Sequence, residues 1–271
     1  MRMLRASILF LFIVMSVQSV SAQDTPFNSA YSDSVMTSYL KKISYWSSGN
    51  KNYLNAQDSL AVFNKQLMDY LKNIATDVRS IGAKFPLAEN RGLINITSDD
   101  NRLRLYSWDT WTGSTMHYFD ALAQYNIGGA SVARILNDIS DAEHTPDPGS
   151  YFSEINSIHT SDGRSVYLVS DYTIASKNEK ANGIKAYMID KGELKNVPFF
   201  KTRKLTTNYI DFVYNVSYDS LTSIVISIHL SSDKKKLYVP VVMKNGHLQN
   251  KYWLYVFKGD KFVYKKRVKG V

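Results

Sequence analysis

The residues best suited to chemistry in this chain lie together in one stretch. Positions 106–118 read Tyr-Ser-Trp-Asp-Thr-Trp-Thr-Gly-Ser-Thr-Met-His-Tyr, placing two of the four tryptophans, a carboxylate and a histidine around one glycine-containing turn. If the flanks pair as a hairpin, Tyr106 and Trp108 share a face because strand side chains alternate. His117 then returns on the partner strand, within reach of the turn. Trp108, Asp109, Trp111 and His117 are therefore candidate ligand-binding residues, with flat rings for the C–H faces of a sugar and polar groups for its hydroxyls. The competing reading is structural, with the aromatics as cross-strand core pairs and Asp109-Thr110 as turn chemistry. Such a role is the commoner fate of these residue types and comes first.

Catalytic patterns are sparse, and the catalytic residues stay unassigned. No spaced pair of carboxylates identifies an acid and a base. There is no G-x-S-x-G elbow, and a chain without cysteine has no thiolate nucleophile. His117, His144, His159, His229 and His247 lie far apart with no H-E-x-x-H spacing. Asp99-Asp100-Asn101 and Ser161-Asp162-Gly163 lack the acidic series of a Ca²⁺ loop. No cofactor and no metal are expected. The enzyme question leans toward no.

The elements that must position these residues fall into two classes. Over 32–46, Val35, Met36, Tyr39, Leu40 and Ile43 follow the spacing of an amphipathic helix, and Ser47-Ser48-Gly49-Asn50 breaks it. Leu60, Phe63, Leu67, Leu71, Ile74 and Val78 lay a second apolar stripe, with Asp58 or Ser59 as its expected cap. Each helix has one apolar face, so a helical hairpin over 23–86 that leans on the following domain is expected. After Pro86 the period changes from 3.6 to 2. About twelve strands are expected over 87–271, at 93–97, 103–108, 116–124, 132–136, 152–159, 166–172, 184–189, 209–213, 223–229, 237–243, 252–257 and 261–265. Residues 137–150 read as a surface loop. Lys258-Gly259-Asp260 is the turn of a closing hairpin.

A weak repeat runs through the strands. Ser98-Asp99, Ser161-Asp162 and Ser232-Asp233 each follow one strand and precede another that carries a tyrosine, at spacings of 63 and 71 residues. Each unit would hold about four strands, as in an irregular propeller or in packed antiparallel sheets. The fold class is thus α+β and mainly β.

The first 22 residues bear on location. A basic start (Arg2, Arg5), an apolar run over 6–17 and Val20-Ser21-Ala22 make the layout of a signal peptide cleaved after Ala22. Without cysteine a lipoprotein anchor is excluded, and no later segment is long and apolar enough to span a membrane as a helix. A periplasmic or extracellular bacterial protein is expected. The net charge of +9 divides unevenly. Residues 23–191 hold 16 Lys+Arg against 19 Asp+Glu, and residues 192–271 hold 15 against 5. For an exported protein nucleic acid is a poor partner. Anionic lipid or polysaccharide fits such a charge, although lysine on sheet edges also keeps strands from pairing.

From Ser98-Asp99 through Arg104-Leu105-Tyr106-Ser107-Trp108-Asp109-Thr110 to Gly113-Ser114-Thr115-Met116-His117, the chain resembles a group of uncharacterised exported bacterial proteins. The resemblance covers about 20 residues and implies an exported setting but no activity. The expected function is a non-catalytic binding or accessory role in the cell envelope, with a glycan or an envelope protein as partner. The alternatives are a glycan-directed hydrolase acting near 108–117, and a structural partner in an envelope complex.

Overall fold

The structure is a computed structural model that describes residues 27–48, 53–138, 148–216 and 227–270. The leader at 1–22, the helix break at 49–50, His144, most of the 137–150 loop and the start of the strand expected at 223–229 lie outside the described residues.

Two antiparallel helices come first, α1 (Ser29–Ser47) and α2 (Tyr53–Ile74). Asn28 caps α1 by accepting from the Tyr31 N–H at 3.0 Å. The second helix begins a turn and a half earlier than its stripe suggested, so Asp58 and Ser59 sit inside it and do not cap it. Its apolar stripe also ends sooner: Val78 belongs to a short 3-10 turn, Val78–Ser80. Helix α3 (Pro86–Glu89) starts at the proline that was expected only to end the hairpin. Its Leu87 and Ala88 N–H groups donate to the buried Asp33 carboxylate of α1 at 3.0 and 2.8 Å.

Fifteen strands follow among the described residues. They are β1 (Ile94–Thr97), β2 (Leu103–Asp109), β3 (Phe119–Ile127), β4 (Ala130–Asn137), β5 (Tyr151–His159), β6 (Ser165–Ile174), β7 (Glu179–Asp190), β8 (Glu193–Asn196), β9 (Phe200–Lys201), β10 (Thr206–Thr207), β11 (Tyr209–Asn215), β12 (His229–Leu230), β13 (Lys236–Val242), β14 (Leu248–Phe257) and β15 (Phe262–Lys269). They form three sheets. Sheet I is the meander β1-β2-β3-β4; sheet II is β11-β7-β6-β5 with β8 on the far part of β7; sheet III is β10-β9-β15-β14-β13-β12. All pairs are antiparallel except β15 with β9. The short strands β8, β9 and β10 had no counterpart in the sequence pattern.

Alternation along the strands sets the layering. In β2, Tyr106 and Trp108 pack with α1 and α2, whereas Leu103 and Leu105 face Phe152, Tyr167 and Val169 of sheet II. In β6, Val166 and Leu168 point the other way, onto Leu237, Val239 and Phe262 of sheet III. The order is helices, sheet I, sheet II, sheet III, so sheets I and II are covered on both faces. Each buried aliphatic or aromatic side chain contributes roughly 1.5–3 kcal/mol.

The repeat is real at the level of its turns, one residue out of the expected register. The paired residues are Ser98 with Asp100, Thr160 with Asp162, and Ser231 with Asp233. Each hydroxyl donates to the carboxylate two residues on, at 2.6, 2.5 and 2.5 Å. Each also accepts the N–H that closes its turn, from Leu103, Arg164 and Lys236. The residue after each aspartate is left-handed: Asn101 (φ 53°), Gly163 (φ 81°) and Lys234 (φ 55°). The three turns join β1 to β2, β5 to β6 and β12 to β13, the first hairpin of each sheet's meander. A hydroxyl reaches a carboxylate at i+2 and a returning N–H together, which explains the [Ser/Thr]-x-Asp register.

Candidate functional site

The segment singled out by the sequence divides into a buried half and an exposed half. Trp108 is 1% exposed. Its Nε1 donates to Asn64 Oδ1 at 2.9 Å, and Asn64 Nδ2 donates in turn to the Thr110 carbonyl at 2.9 Å. The ring is therefore core between α2 and sheet I, which removes Trp108 from the candidate ligand surface. Tyr106 shares its face as expected and is buried too, its hydroxyl donating to Gln124 Oε1 at 2.9 Å. Burial pushes the Tyr106 phenol up to about 12, so it stays a neutral donor.

Beyond Thr110 the chain leaves the sheet. Strand β3 starts at Phe119 rather than Met116, so His117 stands in the loop and not on the partner strand. Thr110 anchors the loop base, its N–H and hydroxyl both donating to the Tyr118 carbonyl at 2.8 and 2.9 Å. The His117 N–H donates to the Ile174 carbonyl at 3.0 Å, tying the loop to the end of β6. A Cβ on Gly113 would fall 1.9 Å from the Met116 carbonyl oxygen, so the bend requires glycine.

Asp109 organises the exposed half. Its Oδ1 accepts the Trp111 N–H at 2.9 Å, and its Oδ2 meets His117 Nδ1 at 2.5 Å. Trp111 is left-handed (φ 56°) and its side chain is 49% exposed. The Trp111 and His117 rings lie 5.7 Å apart at 56°. His117 stacks on Phe119 at 6.3 Å, and the series continues through Tyr151 (5.5 Å) to Tyr172 (5.0 Å). Asp109, Trp111 and His117 are thus brought together, and Trp108 is not.

The continuation through Tyr151 and Tyr172 was missed, because it joins β3, β5 and β6 with no local spacing to mark it. A polar cleft of about 200 Å³ nearby was missed for the same reason; Arg134 and Asn137 of β4, Lys185 and Tyr187 of β7, and Asn196 line it. An imidazole on a carboxylate is half of an acid–base device. Among the described residues no hydroxyl or amine side chain is hydrogen-bonded to the His117 ring, so no nucleophile completes it. Among the described residues, too, no three His, Asp or Glu side chains are grouped to hold a metal, and no helix is long and apolar enough to cross a membrane.

Compared with protein-family models, curated proteins and solved structures, the chain matches none.

Proposed function

We propose that this is an exported, non-catalytic binding protein of the bacterial envelope, and that the corner formed by Asp109, Trp111 and His117 contacts a glycan. The observation that carries the reading is Trp111: a large ring held half-exposed on a backbone already fixed by the Asp109 carboxylate. A ring ordered in advance lowers the entropic cost of binding. Its face suits the C–H surface of a sugar, and the Asp109–His117 pair suits hydroxyls. The leader at 1–22 and the lack of cysteine support the exported setting.

A glycan-array screen of the full chain tests this. Wild type is expected to select a set of glycans, and Trp111→Ala and His117→Ala to lose it. No binding by wild type, or undiminished binding by both variants, sinks the proposal.

A further inference from the structure

The basic excess of the last third stands at both ends of sheet III: Lys234, Lys235, Lys236, Lys258 and Lys261 lie in and beside the β12–β13 and β14–β15 turns, and a second group, which includes both arginines, lies at the other end. The turn between β9 and β10 runs from Thr202 to Leu205, closed by the Thr202 N–H on the Leu205 carbonyl at 2.8 Å. Because β9 runs parallel to β15 and pairs with its first two residues, the turn stands beside the middle of that strand, near Tyr264. There the guanidinium carbons of Arg203 and Arg267 lie over the Trp253 ring, 5.3 and 4.4 Å from its centroid. Arg203 also covers Tyr264 at 4.5 Å and donates to its hydroxyl at 2.5 Å. One step along the same face, Lys251 stands directly opposite Lys269.

Two features separate this end from a merely soluble sheet edge. First, like charges directly opposed across strands destabilise a sheet, yet Lys251 and Lys269 are kept so. Among the described residues neither they nor Arg203, Lys204 and Arg267 have a carboxylate partner. At the opposite end Lys234 and Lys261 pair with Asp99 and Asp260, but Lys235, Lys236 and Lys258 form no ion pair among the described residues, so it is the opposed lysines that mark this end. Second, apolar side chains stand at the turn tips on this end, Leu205 at 56% exposure and Met243, beside the β13–β14 turn, at 42%. A soluble polyanion needs the cations alone. Cations alternating with projecting aliphatic and half-buried aromatic side chains match an interface that is anionic outside and apolar beneath.

We infer that this end of sheet III is a peripheral docking surface for an anionic lipid bilayer, with Arg203, Lys204, Lys251, Arg267 and Lys269 on headgroup phosphates and Leu205 and Met243 entering the acyl boundary. It is separate from the Asp109–His117 corner and does not depend on it.

Flotation of the full chain with phosphatidylcholine vesicles, with and without phosphatidylglycerol, tests the inference. The segment at 1–22 is common to all variants, so the differences between them are decisive. Partition is expected to rise with phosphatidylglycerol and fall with salt. Each cation removed should weaken it about fivefold, so Arg203→Gln with Arg267→Gln should lose roughly twenty-five-fold. Lys204→Gln with Lys269→Gln, at exposed positions with no packing role, should lose as much and covers the case in which the arginine pair fails to fold. Leu205→Ser with Met243→Ser should remove the part of the binding that survives high salt. Unchanged partition of the lysine pair onto anionic vesicles overturns the inference. So does binding to a soluble anionic polysaccharide that ignores Leu205→Ser and Met243→Ser while vesicles are not bound.

Discussion

Arginine and tryptophan occur together in two regions of this molecule and have opposite roles. Between the helices and sheet I, Arg104 is 1% exposed. Its guanidinium donates to the carbonyls of Ser80, Ile81 and Ala83 and to Asn95 Oδ1, and lies over the Phe85 and Tyr106 rings. Trp108, on the same face, gives its one N–H to Asn64. At the far end of sheet III, Arg203 and Arg267 pack on Trp253 with no carboxylate or carbonyl acceptor among the described residues. In the first region the terminal nitrogens of Arg104 and the Trp108 N–H all find acceptors within the protein, with only the buried Arg104 Nε left without one, and the side chains are structure. In the second the stacking orders the side chains while donors are left over. Residue type does not separate a core from a surface that binds; the location of the hydrogen-bond partners does.

The sharpest way to break this contrast is Arg104→Met. Burial lowers the arginine's own affinity for its proton, so the cation is held by its acceptors and rings at a desolvation cost. Methionine removes that cost but leaves the buried Ile81 carbonyl and the half-buried Ala83 carbonyl without their strongest donor, at roughly 1–3 kcal/mol each, together with the lost packing. A net destabilisation of about 3 kcal/mol is expected from urea unfolding. A variant as stable as wild type would mean that Arg104 is tolerated in the core rather than holding the 80–83 segment to sheet I.

A smaller effect separates the three equivalent turns. Asp162 and Asp233 sit in exposed turns, whereas Asp100 also accepts from the Tyr167 hydroxyl of sheet II at 2.8 Å. Burial would raise the Asp100 carboxyl, but hydrogen bonds from Ser98, Tyr167 and the Arg102 N–H together hold it below the usual carboxylate range. A carboxyl depressed in the folded state stabilises it above about pH 4 and loses that contribution as pH falls through the folded value. Asp100→Asn should therefore cost about 1 kcal/mol at neutral pH, discounted for the solvent around it. It should also flatten the acid limb of a stability–pH curve below about pH 4. Asp233→Asn, with no contact to another sheet through its carboxylate, should change the neutral-pH stability less. Equal losses at the two positions would reduce Asp100 to turn chemistry alone.

What the sequence disclosed follows from the range of the forces involved. Apolar stripes and alternation are local, so both long helices and the strands of the three meanders were legible, as was the mainly β class. The turn repeat was visible to within one residue because its hydrogen bonds close within six positions. Phe200 is fully buried in a two-residue strand that pairs with Phe262, sixty-two residues later; no period marks so short an element. The site divided the same way. Asp109 and Trp111 meet through a local turn, and that was legible. That Trp108 is core depends on Asn64, forty-four residues earlier, and that His117 sits off the strand depends on Ile174 in another sheet.

The smallest expected effect bears most directly on the exposed half of the site. A left-handed backbone disfavours a side chain with a Cβ by roughly 1–2 kcal/mol, and Trp111 adopts it at φ 56°. Glycine there relieves that strain but gives the unfolded chain more freedom, a cost of about 0.5–1 kcal/mol, and forgoes the ring contact with His117. These terms nearly cancel. Trp111→Gly should keep its urea midpoint within the equivalent of about 0.5 kcal/mol of wild type, because nothing in the core leans on the ring. A loss well above 1 kcal/mol would place Trp111 with Trp108, as packing. An unchanged midpoint means that the Trp111 ring and its strained backbone together add no net stability, the condition expected where strain is retained at a site of contact with something outside the protein.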